Sequence, residues 1–123
     1  MVKVIKEGAY LGLISDQNAG KKGTQADFFT QKVSVPKGAA VFHLKTNTPI
    51  LIGFCILSKD LNYDLSFQEL DVKGLPDDPE EAIMEINKRY TAIVETVVRK
   101  NPQQYFWFHR KYNLSNYKGL SRY

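Results

Sequence analysis

Asp16 and Gln17 follow the apolar run GAYLGLIS (residues 8–15) and open a loop of Asn, Gly and Lys. A carboxylate at the C-terminal end of a strand stands where open α/β sheets bind ligands, so Asp16 is placed for chemistry or recognition. It is equally placed to cap turn amides, and the residues alone leave both readings open. Phe28-Phe29, between two polar stretches, is either a core anchor or the wall of a channel for an apolar ligand. PQQYFWFHRKYN (residues 102–113) crowds five aromatics against His109, Arg110 and Lys111. Its rings are expected to pack the last segment onto the sheet, burying Trp107, while the cations pair with a carboxylate or phosphate.

The remaining chemical candidates are weak. His43 lies between Phe42 and Leu44 and reads as a packing histidine. Cys55, inside PILIGFCIL, reads as a buried and inert thiol; as the one cysteine of the chain it permits no internal disulfide and fits a reducing compartment. There is no GxGxxG, GxxxxGK[ST], CxxC or HExxH, and GKKGT (residues 20–24) has the wrong glycine spacing for a phosphate loop. No cofactor and no metal are expected.

The elements that must position these groups follow from periodicity. Residues 8–15 read as a buried strand delivering Asp16 to its end, and Pro36 and Gly38 introduce a short helix over AAVFHLKTN, closed before Thr48-Pro49. PILIGFCIL is apolar without alternation, the pattern of a central strand covered on both faces and lying beside the first. Alternation at Leu61, Tyr63, Leu65, Phe67 and Glu69 predicts a strand with one wetter face. Asp78 caps the longest helix, Pro79 takes its first position, and Glu81 stands three residues after the cap. Ile83, Ile86, Tyr90, Ile93 and Val97 mark its apolar stripe, and Asn101-Pro102 ends it.

At 123 residues, 43% hydrophobic and 24% charged, the chain is sized and composed for one globular domain. No run approaches the roughly 18 apolar residues of a spanning helix. The net charge of +4 favours acidic partners, with nucleic acid, anionic lipid and an acidic carrier protein all open, and the cations are spread along the chain as solvated faces are.

Three stretches together resemble a known family: GLISDQNAGKKGTQADFF, VPKGAAVFHLKTNTPILIGF and INKRYTAIVETVVRKNPQQYFWFHRKY. They are similar, in order, to the C-terminal half of the lipid A late acyltransferases, the lauroyl and myristoyl transferases of lipopolysaccharide assembly. The resemblance implies an α/β fold, the C-terminal part of an αβα sandwich with a small mixed sheet of three or four strands, over a single domain spanning residues 1–123. It implies a fatty acyl chain moving from an acyl carrier protein thioester to a lipid A precursor at the cytoplasmic face of the inner membrane, without nucleic acid. By carry-over Asp16 is the catalytic-site residue, with Gln17, Phe28, Phe29, His109 and Arg110 binding substrate. The family's catalytic His, with an acidic residue five positions later, belongs upstream of the Asp-Gln loop. Five positions after His43 is Thr48 and five after His109 is Leu114, so neither replaces it. The chain thus resembles half of such an enzyme, inactive by itself, with an apolar surface through which copies could associate. The alternative is a non-catalytic basic module for anionic lipid or an acidic protein.

Overall fold

The computed structural model describes residues 1–107. Its elements are α1 (Val2–Lys6), β1 (Thr24–Phe28), β2 (Gln31–Val35), α2 (Gly38–Thr46), β3 (Leu51–Leu57), β4 (Tyr63–Glu69) and α3 (Pro79–Lys100), with 3-10 turns at Gly20–Lys22 and Pro102–Gln104. The α/β class is as expected. The single mixed sheet is not: the described strands form two separate antiparallel hairpins, β1–β2 and β3–β4.

The long helix follows its sequence signals. The Glu81 N–H donates to Asp78 Oδ1 at 2.9 Å, Pro79 takes the first turn, and Arg99 and Lys100 put positive charge in the last turn, where it suits the helix dipole. Arg89 pairs with Glu85 at 2.8 Å and Arg99 with Glu95 at 2.6 Å, each one turn apart. Arg89 also donates to the Asp71 and Lys73 carbonyls, which ties the preceding loop to the helix.

One stripe of α3 supports both hairpins. Val94 and Val98 join Ala26, Phe28, Val33 and Val35 in one cluster, and Ile83 and Ile86 join Ala40, Ile52 and Leu70 in another. Tyr90 and Phe54 touch both clusters, so the core is continuous through them. The 22 residues of α3 rise about 33 Å, enough to underlie several strands at their spacing of about 4.8 Å.

Four expectations are corrected. Residues 9–15 form no ladder; they run along the outside with Tyr10 94% and Ile14 80% exposed, since none of the described strands pairs with them. β3 is a strand, yet its burial alternates because only its inner face meets α2 and α3, and Cys55, pointing the other way, is exposed. β4 is exposed along its whole length. Trp107 is 43% exposed: the turn at Pro102–Gln104 reverses the chain, so the indole lies on the surface, donating from Nε1 to the Pro102 carbonyl at 2.7 Å.

The β1–β2 hairpin was not readable in the sequence. Phe28 pairs with Gln31, which leaves Phe29 and Thr30 as a two-residue turn with φ of 48° and 64°. Those angles belong to a type I′ turn, normally built from Asn-Gly or similar pairs.

Candidate functional site

A cavity of about 760 Å³ opens between the residue 8–16 segment, β3 and the face of α3 that links the two core clusters. Its lining is mostly apolar, from Leu13, Ile50, Phe54, Val94 and Val97 among others. A few polar groups converge on it: Asp16, His43, Asn87 and Tyr90. A largely apolar cleft with a small set of placed polar groups is the usual form of a small-molecule site.

Asp16 is exposed and lines this cavity. Tyr90 lines the same cavity from α3, and its phenol is pushed up to about 12, first by burial and then by the negative charge of Asp16. Tyr90 therefore stays a neutral O–H facing a carboxylate at any physiological pH. His43 is buried with Nδ1 2.9 Å from the Thr48 carbonyl, so that nitrogen carries the proton and the ring is fixed as a packing group. This agrees with the sequence reading. Asn87, also buried, donates to the Thr24 hydroxyl and to the Pro36 carbonyl at 3.3 Å, linking α3 to both strands of the first hairpin's base.

The other sequence candidates lie apart. Gln17 is exposed and is not part of the cavity lining. Phe28 is wholly buried in the first cluster, and Phe29 is half-buried, its ring edge-on to Phe28 at 4.7 Å with the Arg99 guanidinium 4.6 Å over its centre. Tyr105 joins this group to the cavity: its ring is 5.7 Å from Phe28 and it lines the cleft. His109 and Arg110 lie outside the described residues, as does any pairing of Arg110 with Asp16. Gly23 is closely packed: a Cβ there would collide with Ser34 Oγ and stand 2.7 Å from the Val35 carbonyl, so Gly23 serves contact with β2. Among the described residues no three His, Cys, Asp or Glu side chains gather as a metal site, and no helix is long and apolar enough to cross a membrane.

Sequence reasoning passed over Asn87 and assigned Tyr90 only to packing. The available signal was polarity inside the apolar stripe of α3, where Asn87, Tyr90 and Thr91 stand among buried aliphatic residues.

The chain belongs to the bacterial lipid A biosynthesis acyltransferase family, whose profile matches residues 1–113. It is 27% identical over 114 residues to the lipid A biosynthesis palmitoleoyltransferase of Escherichia coli (strain K12), and equally to the lipid A biosynthesis acyltransferase of Shigella flexneri. Each alignment covers 91% of this chain and 36% of the relative, so the chain spans about a third of the length of these curated relatives.

Proposed function

We propose that this chain supplies one wall of a lipid A acyltransferase site, as a single domain lacking the family's His and its acidic partner five positions on. The observation that carries this reading is a largely apolar cleft that Asp16 and Tyr90 both line. In the assembled enzyme the His would take the proton of a sugar-linked hydroxyl as that oxygen attacks the thioester carbonyl. The C–S bond then breaks, and the carrier thiolate leaves and is reprotonated. Asp16 and Gln17 would line the acceptor side. The cleft beside them accepts the acyl chain, with Phe28 and Phe29 stiffening its far wall through Tyr105. His109 and Arg110 would face anionic groups of the lipid A precursor or carrier, at the cytoplasmic surface of the inner membrane.

Since proton removal falls to the absent His, the chain alone is inactive. The experiment is acyl transfer from acyl carrier thioester to a lipid A precursor, run with the chain alone and with the remaining two thirds of a relative added. Turnover only in the mixture is expected; no turnover in either, with binding of the two parts established, would refute the reading. In that case the basic excess would favour a non-catalytic module for anionic lipid or an acidic protein.

A further inference from the structure

The β3–β4 hairpin is incomplete in two directions at once. In its ladder, Ile52, Phe54 and Ile56 oppose Gln68, Ser66 and Asp64, and the bond from the Leu70 N–H to the Ile50 carbonyl shows that the even-numbered residues face β4. By the alternation of an antiparallel ladder, the N–H and C=O groups of Leu51, Gly53, Cys55 and Leu57 point to the opposite edge. Leu57 is satisfied there by a side chain: its N–H donates to Gln104 Oε1 at 2.8 Å and its carbonyl accepts from Gln104 Nε2 at 2.9 Å. Gln104 thus takes the place of a neighbouring strand at that one position. Among the described residues, Leu51, Gly53 and Cys55 have no backbone partner on that edge, and all three line the 760 Å³ cavity whose apolar floor is α3.

The outer face of the same hairpin is apolar and bare. Leu51, Cys55 and Leu57 on β3 share it with Tyr63, Leu65 and Phe67 on β4, the last two 68% and 71% exposed. The opposite face of β3 already packs on the core through Ile52 and Phe54. A strand apolar on both faces belongs in the middle of a layered fold.

We propose that this edge and this face form the seam on which the rest of the family polypeptide docks. An extended apolar strand pairs with the edge at Leu51–Cys55 and stops at Gln104, taking the β3 side of the cleft and leaving the side lined by Asp16 and Tyr90 to the acyl chain, and a further apolar layer covers Leu65 and Phe67. The occupant is argued from length: the relatives carry almost two thirds of their chain outside the part matched here. A second copy pairing through the same edge is the alternative that the concentration series below tests. The inference rests on the reading of the chain as one part of a longer enzyme, and it adds where the other part binds.

Cys55 reports on the seam without mutation, being exposed on it and the one cysteine of the chain. Its alkylation by a maleimide, followed by intact mass, is measured for the chain alone over a concentration series, with anionic vesicles, and with the remaining portion of the Escherichia coli relative. It is also measured in a chimera where residues 1–113 replace the matching segment of that relative, whose own cysteines are changed to serine. Slowing of at least tenfold by the added portion, or in the chimera, is the expected result. A rate in the chimera equal to that of the free chain overturns the proposal. So does slowing that follows the concentration of this chain, which makes a second copy the occupant, or slowing by vesicles, which makes it lipid. Protection without acyl transfer would leave the seam standing and remove the functional reading, so the two failures are distinguishable.

Discussion

The backbone N–H of Phe29 donates to Glu95 Oε2 at 2.8 Å, joining a turn and a helix 66 positions apart. The turn needs that partner. Phe29 and Thr30 both hold left-handed φ values, and a β-branched residue there carries strain on the order of 1–3 kcal/mol. The same carboxylate is held by Arg99, whose guanidinium covers the Phe29 ring. One glutamate therefore orders the aromatic group that backs the cleft.

The Phe29 amide first, and then Arg99, hold the Glu95 carboxyl below its usual range. A depressed folded-state pKa contributes stability that is present above the unfolded value of about 4.3 and is lost as pH falls through the folded one. Thermal melts from pH 7 down to 3 should show a steeper acid loss in the wild type than in Glu95→Gln. Parallel curves would show that the carboxylate contributes nothing to the turn.

Phe28 and Trp107 separate core from surface within one aromatic group. Phe28 is wholly buried, so Phe28→Ala should cost about 3–5 kcal/mol in denaturant unfolding. Trp107 keeps stacking contacts with Tyr105 and Phe29 but is 43% exposed, so Trp107→Ala should cost about 1 kcal/mol. Equal losses would contradict the surface position of the indole.

Asn87→Leu leaves the Thr24 hydroxyl and the Pro36 carbonyl without their donor in the interior. A loss of about 1–3 kcal/mol is expected from chemical denaturation. An unchanged midpoint would mean that water replaces the amide.

Gly23→Ala should destabilise more than a surface substitution does, by upwards of about 1 kcal/mol, because the added methyl meets the Val35 backbone as well as a movable Ser34 hydroxyl. Its φ of −86° is ordinary, so the effect reports crowding alone. A melting temperature within a degree of wild type would show that β2 can retreat.

What the sequence revealed and what it hid divide along local and non-local causes. The α3 helix was legible from end to end because its cap, its first-turn proline and its 3.6-residue stripe all lie within the element. α2 and β3 were legible for the same reason. The β1–β2 hairpin escaped because Phe-Thr is no turn signal; its I′ geometry is held by Glu95, far away in sequence. β3 and residues 8–15 read as buried because their composition is that of strands covered on both sides. Their exposure reflects which neighbours are present, a fact no local pattern carries. Of the candidate site, Asp16 was singled out as the end of a strand that does not form, and it lines the cleft from an irregular segment, whereas Tyr90 was hidden among packing residues on the helix stripe.

The central claim, that Asp16 belongs to an acyl-transfer site, is tested most directly in the chimera carrying residues 1–113 in place of the matching segment of the Escherichia coli relative. Initial rates of acyl transfer to a lipid A precursor are compared for Asp16 and Asp16→Asn, with melting temperatures alongside. A fall in kcat/KM of about a hundredfold or more is expected, equivalent to roughly 2.7 kcal/mol of transition-state stabilisation, with the melting temperature within a few degrees. Full activity in the variant, or loss of activity accompanied by unfolding, would contradict it and leave Asp16 a loop carboxylate that serves the structure alone.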